Sequence, residues 1–311
     1  MEHYVTLFDS TYLPQGIALH NSMQKVVKEY LLWILCVDKA TYKILSKLNL
    51  PNVTLLELDK LETADLLEVK PKRTKAEYCW TLTPFAIKFV FENSNIVKRV
   101  TYIDADIWFR KSPNLIFEEF AITGKPVLIT DHSYSPEYDQ SENSGQYCVQ
   151  FLTIEKNRGE KVLNDWMEKC IEWCYARVEN GKFGDQKYLD DWPLKFKNDV
   201  HVMQNKEWAL APWNIDRLPH GHSIFYHFHG LKIVSEKRVV YGPYSIPECV
   251  EKYIYHPYLI DLRSAVNIMA EYSFIYVVKP NKSIIYIELM AIFKKIIISL
   301  KRYVKLQSRY F

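Results

Sequence analysis

Through the first two thirds of the chain, runs of consecutive apolar residues alternate with stretches whose apolar positions recur every three or four residues. The runs at 4–8, 31–37, 53–58, 100–104 and 127–130 predict strands, as does the segment 149–154. Helical periodicity covers 13–29, 39–48 and 76–92, with a polar, charged stretch at 70–75. A long amphipathic helix is expected over 160–179, with Val162, Trp166, Cys170, Trp173 and Cys174 at core spacing. Strand–helix alternation of this kind folds as a mainly parallel sheet flanked by helices, and near-continuous apolar strands imply a sheet covered on both faces. The expected fold class is therefore α/β. No repeat or low-complexity tract interrupts the pattern before about residue 245, where Pro247 and Pro257 stand among aromatics and mark the expected end of the main domain.

Composition excludes several classes. The 311 residues are 48% hydrophobic and 25% charged, a globular balance rather than a disordered or fibrous one. The formal net charge of +3 is a local feature, because residues 289–311 hold six basic residues and no acidic one. Without those six, 34 Lys and Arg face 37 Asp and Glu, so the body lacks the basic footprint of a nucleic-acid binder and no nucleic acid is expected as partner. The six cysteines are irregularly spaced with no CxxC pair, which favours reduced core thiols over a zinc site. Met1-Glu2-His3-Tyr4 has neither a basic n-region nor a long apolar run behind it, so no signal peptide and a cytoplasmic location are expected.

Candidate chemistry begins where the apolar strand Val100-Thr101-Tyr102-Ile103 runs into Asp104-Ala105-Asp106. Residues two apart on a strand point to the same side, so the two carboxylates can converge on one hard cation. The carboxyl ends of strands are where open α/β sheets bind ligands. A divalent ion held by one or two carboxylates completes its shell with substrate phosphates, which suits a nucleotide diphosphate. A D-x-D alone is often a solvated turn; its place behind a buried strand gives it weight.

Three further motifs accompany it: Thr6-Leu7-Phe8-Asp9-Ser10-Thr11-Tyr12-Leu13-Pro14, Phe183-Gly184-Asp185-Gln186-Lys187-Tyr188-Leu189-Asp190-Asp191-Trp192, and His227-Phe228-His229-Gly230. With these in this order, the chain resembles the GT-A glycosyltransferases over about residues 4–230, in particular the bacterial branch akin to glycosyltransferase family 8. The resemblance implies a GT-A (Rossmann-like) catalytic domain over 1–245 and a nucleotide-sugar donor, most often a UDP-sugar, held by Mn²⁺ or Mg²⁺. It implies that Asp104, Asp106 and His227 are metal ligands, with His229 as the alternative imidazole. Thr6, Leu7, Phe8 and Asp9 would border the base and ribose, and Ala105, Gly230 and Lys232 would also face the nucleotide. Lys232 stands one residue earlier than the family's phosphate lysine.

The same resemblance places Asp185 and Gln186 against the donor sugar and its anomeric carbon, as in retaining members, although Asp185 could equally cap a short helix. Gln186 is a poor nucleophile, so front-face attack by the acceptor is the expected retaining route. Asp190 and Asp191 would bind sugar hydroxyls or serve as an acceptor-side base, or else end a solvated helix. The family's Asn and small residue before the strand at 149–154 are here Tyr147-Cys148-Val149-Gln150, which shifts hydroxyl recognition to Gln150 or removes it. Trp213 is read as an aromatic platform against a sugar or as core. Arg73 and Lys75 could reach the diphosphate, with a solvated loop as the simpler reading.

Residues 246–311 are expected to form a C-terminal helical, basic appendage. Its segment 283–300 is interrupted by Glu288, Lys294 and Lys295, which suits a helix lying on a membrane surface better than one crossing it, with packing on the catalytic domain as the alternative. The function expected is a metal-dependent glycosyltransferase moving a hexosyl unit to a glycan or lipid-linked acceptor in surface polysaccharide synthesis, peripheral on the inner face of the membrane. The rivals are a sugar-nucleotide nucleotidyltransferase, for which 8–16 supplies no Gly-rich triphosphate loop, and a non-catalytic sugar-nucleotide or glycan-binding protein. The sugar, the acceptor, the linkage and retention against inversion stay open.

Overall fold

The computed structural model describes residues 1–235 and 238–272. Its main sheet has seven strands in the order β3-β2-β1-β4-β7-β6-β8. These are β1 (Glu2–Phe8), β2 (Tyr30–Cys36), β3 (Val53–Glu57), β4 (Arg99–Ile103), β6 (Val127–Asp131), β7 (Tyr147–Glu155) and β8 (Val200–Val202). Only β7 runs against the rest, pairing antiparallel with β4 and β6. The mainly parallel α/β architecture read from the apolar runs is the one observed.

Both faces are covered, as those runs require. On one face Val5, Leu7 and Leu35 pack with helix α5 (Lys75–Asn93) and α8 (Glu160–Glu172) through Leu82, Ala86, Val162 and Trp166. On the other, Tyr4, Phe8 and Ile34 meet α1 (Leu13–Val26), α2 (Lys39–Leu48) and α6 (Asn114–Thr123). Local signals set the helix starts. Asp38 caps α2 by accepting the Thr41 N–H, and Thr74 with Glu77 forms a capping box at α5. Gly16 of α1 lies so close to β1 that an added Cβ would sit 2.3 Å from the Phe8 ring. Two short helices, α3 (Leu58–Leu61) and α4 (Ala64–Val69), lead from β3 towards α5.

Two expectations change at this level. The helix expected over 160–179 ends at Glu172, and Trp173 is extended at φ −155°. Arg73 Nη2 donates to the Ile171 carbonyl at 2.7 Å and the Tyr188 hydroxyl donates to the Trp173 carbonyl at 2.7 Å, so the free carbonyls at that end are taken by tertiary partners. Trp173 and Cys174 stay buried beyond the helix, which is why the periodicity ran on. The same contact corrects Arg73 itself: it is buried against Thr81 and Ile171, not in a solvated loop.

A second, three-stranded sheet of order β5-β10-β9 joins β5 (Ile107–Phe109), β10 (Phe225–His227) and β9 (Ala209–Leu210). Helices α7 (Ser141–Ser144) and α9 (Trp192–Lys195) are single turns, and β11 (Lys232–Ser235) pairs with β12 (Arg238–Val240) as a hairpin. After α10 (Glu248–Val250), α11 (His256–Glu271) packs on α1. Asp261 of α11 accepts from Lys25 Nζ at 2.7 Å and from Trp108 Nε1 at 2.8 Å, while Ile254, Tyr258 and Val266 share a core with Ala18, Trp108 and Tyr226. The described part of the appendage expected from residue 246 thus shares its core with the body. The basic segment 283–300, and the six cations of 289–311, lie outside the described residues. Among the described residues, no helix is long and apolar enough to cross a membrane.

Candidate active site

The central strand β4 ends at Ile103, and the next three residues form a turn closed by the Ile107 N–H donating to the Asp104 carbonyl at 3.2 Å. It is this turn, rather than strand alternation, that brings the carboxylates together. The Asp104 N–H is tied to the Gln150 carbonyl of β7 at 3.1 Å, and the Asp106 carbonyl accepts from the Phe228 N–H at 2.9 Å. The antiparallel pairing of β10 with β5 sets His227 opposite Ile107. Its Nε2 then lies 3.2 Å from Asp106 Oδ1 and 3.7 Å from Asp104 Oδ2. Ligand atoms of Asp104, Asp106 and His227 all fall within 4.8 Å of one another. Two carboxylates and one imidazole at this spacing fit a single divalent cation, because adjacent octahedral ligands at about 2.1 Å from a metal sit roughly 3 Å apart.

The electrostatics point the same way. Burial pushes Asp104 up to about 6, with the neighbouring Asp106 adding to the shift and His227 opposing it. Asp106 is held below its ordinary value: burial works against this, but His227 outweighs it. His227 itself is raised in spite of burial, because Asp106 and Asp104 favour its cation. An imidazolium here occupies the position of positive charge that a metal ion would take.

His229 does not join the group. It lies past the end of β10, exposed, with Nδ1 2.9 Å from the Tyr244 hydroxyl. The His227 ring is instead fixed from two sides, by Gln150 Oε1 at 2.8 Å from Nδ1 and by Trp213 edge-on with ring centroids 5.3 Å apart. Trp213 is 4% exposed and is a wall of the core beneath the histidine rather than an open platform.

Next to the turn, the Tyr102 hydroxyl donates to Asp104 Oδ1 at 3.0 Å. Asp185 is buried, its main-chain carbonyl bound by Trp166 Nε1 at 2.9 Å. Burial lifts its carboxyl to about 7, the Asp104 charge adds to this, and a hydrogen bond from Thr83 offsets part of it. Two buried polar atoms near the end of β4, Gln150 Nε2 and Asp185 Oδ2, have no hydrogen-bond partner among the described residues, nor has Thr6 Oγ1 within β1 on the other face of the sheet. An unmet buried group costs about 1–3 kcal/mol, so the Asp185 and Gln150 atoms are groups that a bound ligand would satisfy.

The other expected residues divide. Leu7 and Phe8 are core on opposite faces of the sheet, so their side chains are not offered to a ligand, and Ala105 packs in the same core as Phe8. Asp9 sits at the end of β1, accepting the Thr11 N–H at 2.8 Å and facing Lys75 Nζ at 2.5 Å. Lys75 also lies 3.4 Å from Asp38, a residue that sequence reasoning passed over although its helix-cap position was legible. Burial pushes Asp38 up, but bonds from Thr41 and Ser10 outweigh it and hold it at about 2. Gln186 Nε2 donates to the Ser144 carbonyl at 2.8 Å. Asp190 is occupied on both oxygens, by the Gln146 N–H and by Lys187 Nζ, each at 2.8 Å, and so braces the loop before β7. Asp191 is exposed at the start of α9, as in the solvated-helix-end reading. Gly230 holds φ +79°, a left-handed turn that L side chains resist, and Lys232 is exposed at the start of β11.

No protein-family model matches the chain. YfnD of Bacillus subtilis (strain 168) is 29% identical over 282 residues, 85% of this chain and 90% of its own. YfnF of the same organism is 31% identical over 250 residues, 75% of this chain and 82% of its own. The chain belongs to the YfnF family. Both relatives are described as uncharacterized proteins, so membership of the YfnF family brings no activity with it. The fold of this YfnF-family chain is shared with solved glycosyltransferases. The galactosyltransferase LgtC, solved with donor and acceptor sugar analogs, superposes with a TM-score of 0.53 at 12% identity, over 84% of this chain and 95% of that one. Mouse xyloside xylosyltransferase 1 gives 0.51 at 14%, over 73% and 97%, and GlyE of Streptococcus pneumoniae TIGR4 gives 0.51 at 14%, over 90% and 67%. The architecture is the GT-A fold.

Proposed function

We propose that the chain is a metal-dependent glycosyltransferase that moves a hexosyl unit from a nucleotide diphosphate sugar, with a UDP-sugar as first candidate, to a glycan or lipid-linked glycan acceptor. The observation that carries this is the Asp104, Asp106 and His227 cluster at the carboxyl end of the central strand of a GT-A sheet. A divalent cation there, Mn²⁺ or Mg²⁺, supplies positive charge to the departing diphosphate. Asp104 and Asp106 hold it from the turn and His227 from the second sheet. Asp9 borders the ribose and base, with Thr6 behind it, and the Gly230–Lys232 segment closes over the phosphates. Asp185 presents its Oδ2, which has no hydrogen-bond partner among the described residues, to a donor hydroxyl. Gln186 Nε2 donates to the Ser144 carbonyl, and an amide is a poor nucleophile. With the retention implied by the resemblance around Asp185 and Gln186, the acceptor hydroxyl attacks the anomeric carbon on the leaving-group face, the bond to the diphosphate breaks, and a diphosphate oxygen takes the acceptor's proton.

The branch resembling family 8 and a place in surface polysaccharide synthesis are part of the same proposal. So is a division of labour in which the donor-binding body, expected over 1–245, is completed by residues 246–272. The basic segment beyond it meets the inner face of the membrane.

The test is nucleotide release from UDP-, GDP- and dTDP-sugars with Mn²⁺, comparing wild type with Asp104→Asn and Asp106→Asn. Slow hydrolysis of one donor is expected, falling at least 100-fold in each variant and on chelation. Metal-dependent nucleotide binding without turnover for any donor and acceptor mixture would favour a binding protein on this fold. Absence of both would overturn the metal reading.

A further inference from the structure

We infer that Gln150 is a positioning residue for the metal centre, orienting the His227 imidazole with its side chain while its main chain holds Asp104. The inference rests on the metal reading above and concerns how ligands from two separate sheets are made to meet. Asp104 leaves β4 of the main sheet, whereas His227 ends β10 of the second sheet. Gln150, in β7, touches both: its carbonyl accepts the Asp104 N–H at 3.1 Å, and its Oε1 lies 2.8 Å from His227 Nδ1.

The residue type is informative. In β7 the other fully buried side chains are apolar, apart from Thr153, whose hydroxyl pairs with Thr101 at 2.8 Å. Gln150 is 0% exposed, and its Nε2 has no hydrogen-bond partner among the described residues. An apolar residue of similar volume would fill the same space without an orphaned donor, so what the amide adds at this position is its oxygen. An acceptor at Nδ1 requires that nitrogen to carry a proton, which directs Nε2 towards Asp104 and Asp106 as the nitrogen able to bind a cation. Trp213 packs edge-on against the same ring, and the Cys148 thiol is a further hydrogen-bonding neighbour of it.

The experiment measures Mn²⁺ affinity calorimetrically on the full chain for wild type, Gln150→Leu, Gln150→Met and Gln150→Glu, with thermal melts to identify folded variants. Leu and Met remove the acceptor; Glu restores it. Affinity is expected to fall about 10- to 100-fold in Leu and Met and to stay within about threefold of wild type in Glu. The ¹⁵N shifts of His227 in the Mg²⁺-loaded wild type are expected to report a proton on Nδ1. A folded Gln150→Leu or Gln150→Met that binds Mn²⁺ as wild type does would overturn the inference, as would a proton on Nε2 in the loaded protein. Wild type that binds no Mn²⁺ at all would instead overturn the metal reading beneath it.

Discussion

His132 shows how much one buried side chain can decide. Burial drives its imidazole down to about 3, with His227 adding to the shift and the Gln146 carbonyl opposing it. It is neutral in the fold, stacked on Tyr134 at 4.6 Å and edge-on to Trp213, and its carbonyl accepts from Trp213 Nε1 at 2.8 Å. In the unfolded chain a histidine takes up its proton near pH 6.5. Between pH 6.5 and 3 the unfolded state therefore binds more protons, so stability falls as the pH falls through 6.5. From pH 7 to 5 the loss from this residue is expected to be about 2 kcal/mol. Denaturant melts of wild type and His132→Phe at the two values check it. The difference between them should shrink by that amount in the variant, and an unchanged difference would assign the acid sensitivity elsewhere. His132 has no signature in sequence, since only burial separates it from an exposed histidine. Asp104 and Asp106 were legible because their spacing and the apolar run before them are sequence features. The contacts of Asp190 were not legible for the opposite reason: a carboxylate in a motif looks alike whatever it faces, here a lysine and a backbone amide.

At the scale of elements, helix starts were readable and helix ends less so. Thr74 and Asp38 announce α5 and α2 through local hydrogen bonds, whereas the end of α8 depends on Arg73 and Tyr188, which arrive from elsewhere in the chain. The attachment of α11 was equally hidden. Its key is Asp261, a buried carboxylate that joins α11 to Lys25 of α1 and to Trp108 of β5. Asp261→Ala leaves the Trp108 N–H unmet in the core and is expected to cost about 1–3 kcal/mol. Because Lys25 is largely exposed, little of that comes from the ion pair. A denaturant titration checks this: a loss of that size should accompany exposure of α11 to hydrogen exchange, while no change in either would show that apolar packing alone holds the helix.

For the whole molecule, charge is the property that sequence makes plainest. The slightly acidic body and the six cations of 289–311 predict that the full chain associates with phosphatidylglycerol vesicles at low salt and is released as salt rises. Sedimentation with vesicles checks this. Replacing those six residues by Gln should abolish it, and binding unaffected by salt or by the replacements would remove the membrane from the proposal. The sheet adds what charge cannot. Central strand β4 stands between parallel β1 and antiparallel β7, so a ligand at its carboxyl end is flanked by the end of β1 on one side and Gln150 on the other.

The sequence by itself determined the α/β class, the covered sheet and the pair of carboxylates at a strand end, because each follows from local pattern: apolar runs and the distance between two carboxylates along the chain. Tertiary structure alone decided which histidine reaches the carboxylates. His227 and His229 have nearly the same surroundings in sequence, and only the pairing of β10 with β5 puts one over the turn and turns the other towards Tyr244. Strand register and burial are set by contacts between residues far apart in the chain, and no local pattern carries that information.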